Sequence, residues 1–111
     1  MMPQQGAIVL VRFPFTDLTA SKVRPAIIVS GQKFNRGHDF VLVPITTQFH
    51  SSPFTLPIYA RDLAAGSLQK KSFIKCGNLT TFDKSLIQKT VAQLKPSKLK
   101  SVLKLSQMLF Q

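Results

Sequence analysis

The sequence predicts a mainly β protein, a small barrel whose open side is covered by one C-terminal helix. Three observations predict it. Short runs rich in Val, Ile and Phe recur at close spacing as far as Leu94. Proline, glycine and asparagine punctuate them, with no long helical pattern in between. The apolar spacing turns helical only after Pro96, where Leu99, Val102, Leu103, Leu109 and Phe110 fall on one stripe that Leu105 and Met108 widen.

The elements follow in order. Ala7 to Phe13 is a strand, apolar on both faces until Arg12, and Pro14 with Thr16-Asp17 breaks it. The stretch from Pro14 to Val23 reads as a polar loop. Ala26 to Ser30 is the second strand, with Arg24-Pro25 at its head; Pro25 forces the preceding residue into extended geometry and is tolerated at a strand's first position. Gly31 to His38 is a polar connection. Phe40 to Thr46 is the third strand, and Pro44 marks an edge or a bulge near its end. Phe54 to Ala60 is a weaker strand, and Arg61 to Gln69 reads as a loop with one helical turn. Lys71 to Cys76 is a strand turned by Gly77-Asn78. Leu79 to Phe82 and Thr90 to Leu94 are short strands around a turn from Asp83 to Gln88. Pro96 suits the first turn of the terminal helix.

With 111 residues, 44% of them hydrophobic, the chain is expected to fold as one domain over 1–111 with a real core. Its charge is lopsided: 15 Lys and Arg stand against four Asp and no Glu, a formal net charge of +11 with a pI near 10.5. Such a surface seeks a polyanion, nucleic acid first, an anionic membrane or an acidic protein next. The single cysteine, Cys76, allows no internal disulfide and suits a reducing cytoplasm. The first residues lack a basic leader and a long apolar run, so a cytoplasmic location and no membrane association are expected.

Several chemistries find no support. His38, His50, Cys76 and four scattered aspartates offer no metal-ligand spacing, and no Gly-rich phosphate loop appears. Neither a metal nor a cofactor is expected. Cys76, inside an apolar strand, reads as a packed core thiol. The lysines Lys84, Lys89, Lys95, Lys98, Lys100 and Lys104 read singly as solvated charges and together as a general attraction for RNA or DNA. Phe13 and Phe54 read as core, while Phe15 and Phe49, beside polar loops, are open between packing and base stacking. The sharper pair is Arg24 and Thr46. If the second and third strands are neighbours, a guanidinium and the hydroxyls of Thr46 and Thr47 face one site suited to a phosphate.

The segments Gly6 to Val11 with Phe13-Pro14-Phe15-Thr16-Asp17, Arg24 to Ser30, and Pro44-Ile45-Thr46-Thr47-Gln48 occur in an order that resembles the MazF/PemK-like toxins of bacterial type II toxin–antitoxin modules. Ile74 to Asp83 is similar to the strand and turn before that family's terminal helix. The resemblance implies an SH3-like β-barrel of the MazF/PemK/CcdB kind with a C-terminal α-helix. It also implies a homodimer, metal-independent cleavage of single-stranded RNA or mRNA at short sequences, and an acidic MazE/PemI-like antitoxin as partner. Residue by residue, Arg24 matches the family's catalytic arginine and Thr46 its hydroxyl at the end of the third strand. Phe15, Lys22, Thr47, Gln48, Lys75 and Asn78 are the expected RNA contacts. Lys75-Cys76-Gly77 departs from an Arg-Cys-Asp found in some members, the Asp being a proposed base, and Asp17 is the only acid near the loop before Arg24. Those departures keep open a member that binds nucleic acid without cutting it, or one that inhibits a protein target such as DNA gyrase.

Overall fold

A computed structural model describes residues 3–14 and 21–111. Strands β1 (Ala7–Pro14), β2 (Ser21–Ile28) and β3 (Asp39–Thr46) are followed by the shorter β4 (Thr55–Ile58), β5 (Leu63–Gly66), β6 (Ser72–Lys75) and β7 (Thr80–Asp83), and by the long β8 (Ile87–Leu94). A one-turn helix α1 (Gln32–Asn35) links β2 to β3, and helix α2 (Pro96–Met108) ends the chain. All pairings are antiparallel, and they join the strands into one curled sheet in the order β4-β6-β3-β2-β1-β8-β5, with β7 on β3.

Alternation along the central strands divides the apolar residues between two cores. Ile8, Ile27, Val43, Ile45 and Ile74 point to one side, where α2 lays Val102, Leu99, Leu103 and Leu105. Val9, Val11, Ala26, Ile28 and Leu42 point to the other, against Phe40, Phe82, Phe13 and Leu86. Burial on both faces is why Ala7 to Val11 is apolar at every position. The Phe13 and Phe82 rings meet edge to face at 5.0 Å, which confirms Phe13 as a packing residue.

Helix α2 is tied at both ends. Near its start the Lys95 amide donates to the Asp62 carbonyl at 2.8 Å, and the Lys98 ammonium lies 3.3 Å from the Asp62 carboxylate. That carboxylate also accepts from the Tyr59 amide at 2.8 Å, closing the 3₁₀ turn Ala60–Asp62. Near the helix end the buried Ser106 hydroxyl donates to the Cys76 carbonyl at 2.9 Å. Pro96 occupies the first turn, as expected from the sequence.

The structure corrects four readings. β2 begins at Ser21, not Ala26, because Ser21, Lys22 and Val23 pair with Pro14, Phe13 and Arg12 although Lys22 and Val23 are exposed and carry no apolar signature. The segment from Arg61 to Gln69 contains strand β5, a largely exposed edge on β8. Gly66 permits it: its φ is +76°, and a Cβ there would lie 2.1 Å from the Val91 carbonyl oxygen. The Gly31 to His38 connection holds the turn α1. Finally, Pro25 is not the first residue of its strand but an interior position paired with Leu10, while Pro44, paired with Ala26, has no partner on the outer edge of β3. Among the described residues, no helix is long and apolar enough to cross a membrane.

Candidate functional site

A proline marks where β2 and β3 separate. Their ladder covers Ile28↔Leu42, Ile27↔Val43 and Ala26↔Pro44 and stops. In an antiparallel ladder, hydrogen-bonded and non-bonded pairs alternate. The Val29 amide donates to the Val41 carbonyl at 2.9 Å, so the bonded pairs take the odd-numbered residues of β2 and the next one due is Pro25/Ile45, where Pro25 has no N–H; the nitrogen of Pro44 faces the outer edge of β3. Beyond that point the strands have different partners. β2 stays with β1 as far as Ser21↔Pro14, whereas β3 turns to β6 through Ile45↔Ile74 and Thr46↔Phe73. Along its outer edge β3 pairs with β7 up to Leu42 and with β6 from Ile45, so Val43 and Pro44 fall in the changeover.

Arg24 and Thr46 are the residues on either lip of this parting. They lie two positions past Ala26↔Pro44 in the same register, and by strand alternation both belong to the face of Val11, Ala26 and Leu42. Arg24 is exposed and Thr46 half-buried. The Thr46 hydroxyl oxygen accepts the Gln48 amide at 3.1 Å. That bond occupies a lone pair and leaves the hydroxyl proton free to donate. Lys22, two residues before Arg24, shares its face and is exposed. Thus the neighbouring strands that the sequence required for a phosphate site are neighbours, and they part where the site is expected.

The other expected contacts are distributed around this point. Thr47 and Gln48 are exposed on the loop after Thr46. Lys75 is half-buried on β6, on the same face as Phe73 and therefore as Thr46. Asn78 is exposed in the following turn, its amide donating to the Lys75 carbonyl at 3.1 Å. Phe15 and Asp17 lie outside the described residues.

Three aspartates are described, and none is at the Arg24 end. Asp62 is engaged by α2, and Asp39 and Asp83 oppose each other at the start of β3. The Asp83 carboxylate accepts from the Ser85 amide at 2.8 Å, which holds its carboxyl below the ordinary range. For Asp62, burial pushes the carboxyl up, but the Tyr59 amide and the Lys98 charge outweigh it and the net shift is downward. Cys76 is fully buried in the α2-side core, and desolvation pushes its thiol up to about 11, so it remains a neutral packing group. A Cβ on Gly77 would touch Phe54 and Leu109 at 3.5–3.8 Å, so a side chain there would begin among apolar atoms.

Sequence reasoning missed Phe73 as a site residue and left Phe49 undecided. Phe49 is 67% exposed on the loop beyond Gln48, and its ring meets that of Phe73 at 5.4 Å and 64°. The Lys71 ammonium lies 5.9 Å from the Phe73 ring centre. The signal available was the period-two pattern Lys71-Ser72-Phe73-Ile74-Lys75, which sends Ser72 and Ile74 inward and the two lysines and Phe73 outward. A separate hollow of about 650 Å³, lined by Gln4, Gln5, Gln32, Asn35, Arg36 and Lys84 among others, lies by the opposite end of β3 and does not join this site.

The family profile of the PemK-like, MazF-like toxins of type II toxin–antitoxin systems matches residues 4–109. The chain belongs to this family. Among solved structures, an endoribonuclease in complex with its cognate antitoxin from Mycobacterial species is similar with a TM-score of 0.80 and 17% identity, over 98% of this chain and 95% of that one. MazF from Deinococcus radiodurans matches with a TM-score of 0.79 and 18% identity, over 99% and 97%. The Mycobacterium tuberculosis toxin MazF-mt6 matches at 0.72 and 20%, over 94% and 95%. At these identities the solved structures establish the fold, a mainly β MazF-like sheet with its C-terminal helix. No curated protein matches the sequence.

Proposed function

We propose that this MazF/PemK-family toxin is a sequence-selective, metal-independent endoribonuclease of single-stranded RNA, with Arg24 and Thr46 as its catalytic residues. One observation carries the reading: Arg24 and Thr46 stand on the two lips where β2 and β3 part, in one register and on one face. A phosphodiester placed between them meets a fixed cation on one side and a free hydroxyl donor on the other.

The reaction is attack of a ribose 2′-oxygen on the adjacent phosphorus, with release of the 5′-oxygen and formation of a 2′,3′-cyclic phosphate. RNA supplies the nucleophile, so no metal-bound water has to be generated. Negative charge accumulates on the non-bridging oxygens in the phosphorane. The Arg24 guanidinium stabilises that charge bidentately, and the Thr46 hydroxyl donates to a non-bridging oxygen. With substrate assistance, the 2′-hydroxyl proton passes through a non-bridging phosphate oxygen to the leaving 5′-oxygen. Thr47, Gln48, Lys22, Lys75 and Asn78 surround the site and hold the strand.

The +11 charge suits two partners. RNA is one, and an acidic MazE/PemI-like antitoxin covering the same face is the other. The endoribonuclease–antitoxin and MazE–MazF complexes among the structural neighbours support that second assignment. The working unit is a cytoplasmic homodimer. RNA binding without cleavage is the second reading, and Gly77 favours it, because a family-type Asp is absent and the position faces Phe54 and Leu109.

The test is incubation of the protein in EDTA with a long single-stranded RNA, ends being mapped by primer extension beside Arg24→Ala. Discrete cuts that vanish in the variant are expected, with a loss of about 10²–10³-fold or more. Because Arg24 is exposed, the variant should keep the wild-type denaturation midpoint. Native-rate cutting by Arg24→Ala would overturn the catalytic assignment, and binding without cutting by the wild type would select the second reading.

A further inference from the structure

We infer that Phe49, Phe73 and Lys71 form a stacking platform for the nucleobase flanking the scissile phosphate, an inference that rests on the RNA-cleaving reading of this face. Phe49 leaves 67% of its surface in water although apolar cores are available on both sides of the sheet. Its position is maintained by the edge-to-face contact with Phe73 at 5.4 Å. Phe73 in turn is the register partner of Thr46 across β3 and β6. The platform is therefore built on the strand pair that presents the phosphate-binding hydroxyl, with only Thr47 and Gln48 between Thr46 and Phe49 in sequence.

The chemistry fits a base better than an aliphatic ligand. An exposed aromatic face attracts the π-face of any nucleobase, and neighbouring cations strengthen the attraction. Lys71 lies over the Phe73 ring at 5.9 Å and brings a charge to the sugar–phosphate on that side. Phe73 lies directly across from Thr46, and Phe49 packs on Phe73, so a phosphate at Thr46 has the platform on the adjoining strand for its neighbouring base. The exposed Gln48 side chain lies between them in sequence and offers both a donor and an acceptor for a base edge.

The experiment uses single-stranded RNA with 2′-fluoro riboses, which lack the attacking hydroxyl, carrying 2-aminopurine at successive positions. Wild-type protein should bind it and quench one position selectively. Phe49→Ala should weaken binding roughly 5- to 150-fold and abolish that quench. Phe49→Trp should restore both, and Lys71→Ala should weaken binding less than Phe49→Ala. An unchanged urea midpoint checks that Phe49→Ala is folded, as an exposed ring predicts. Affinity within twofold of wild type with the quench intact in Phe49→Ala would overturn the platform, as would wild-type protein that does not bind this RNA. The nuclease reading is judged separately, by cutting of natural RNA beside Arg24→Ala.

Discussion

Replacing Thr46 by Val removes one hydroxyl and almost nothing else. The two side chains have nearly the same shape, and position 46 is half-buried at the end of β3, where a β-branched residue suits the strand. The hydroxyl serves two purposes, accepting the Gln48 amide at 3.1 Å and presenting its proton. Loss of the first is small, because the Gln48 amide is on an exposed loop and water replaces the acceptor; about 0.5 kcal/mol of stability is at stake. Loss of the second matters only when charge builds on the phosphorane. A single donor to a developing oxyanion is worth about 10²–10³ in kcat, and partial exposure places Thr46 near the lower figure, about 10²-fold or ~2.7 kcal/mol. Thr46→Ser keeps both functions and should retain most activity. The assay is single-turnover cleavage of a short RNA containing one mapped site, with affinity measured separately on 2′-fluoro RNA. Expected is a slow Val variant with near-native affinity and a fast Ser variant. Thr46→Val cutting within threefold of wild type would refute the assignment of Thr46 to charge stabilisation. Equal losses in Val and Ser would instead trace the effect to the loop conformation.

Other outcomes follow from groups outside the site. Cys76, with its thiol pushed up to about 11 by burial, has about one molecule in a thousand ionised at pH 8. Native protein should resist a thiol reagent that labels it fully in denaturant, and labelling at the rate of a free cysteine would contradict its placement. Ser106→Ala leaves the Cys76 carbonyl without its 2.9 Å donor in a buried position, so equilibrium denaturation should register a loss of about 1–3 kcal/mol; an unchanged midpoint would exclude that bond as a tie on α2. The Asp62 carboxyl has a folded pKa below its ordinary 3.8, so its ionised form stabilises the fold above that value and the contribution disappears as pH falls through the lowered pKa. Asp62→Asn should cost up to about 1 kcal/mol near neutrality, the upper end for an ion pair at the surface, with the gap closing below about pH 3.8. A gap independent of pH would rule out the Asp62–Lys98 contact as its source.

How far the sequence could be read depended on burial. β1 and β3 were legible because burial on both faces makes each a continuous apolar run, and α2 because its apolar stripe has a period near 3.6. The first third of β2 and all of β5 were not. Lys22, Val23, Ala65 and Gly66 are held by ladders to β1 and β8 while they remain in water, and a backbone pairing without burial leaves no composition signal. The site divided in the same manner. Arg24 and Thr46 were visible as a charge and a hydroxyl ending apolar runs, and the β2–β3 pairing brings those runs together. Phe73 was hidden because an aromatic residue in a strand normally packs inward, and only register shows that it shares a face with Thr46.

Pro25 explains why a phosphate site can exist in such a continuous sheet. A fully zipped β2–β3 ladder would carry backbone hydrogen bonds past Ala26 and Pro44 and hold Arg24 and Thr46 side by side as an ordinary cross-strand pair, too close to admit a phosphodiester between them. Pro25 removes the donor of the next bonded rung, Pro25/Ile45, and the ladder ends there, while the nitrogen of Pro44 faces away from β2, toward the outer edge of β3. β6 then captures Ile45 and Thr46, and β1 keeps Ser21 to Arg24. Both lips are thus held by other strands after the two have separated. The opening needs no loop flexibility and little ordering on binding, which is the condition for a preorganised charge-stabilising site. On this reasoning an N–H restored at position 25 would let the ladder advance toward Arg24 and Thr46 and close the site, whereas an N–H at position 44 would leave the β2–β3 parting unchanged.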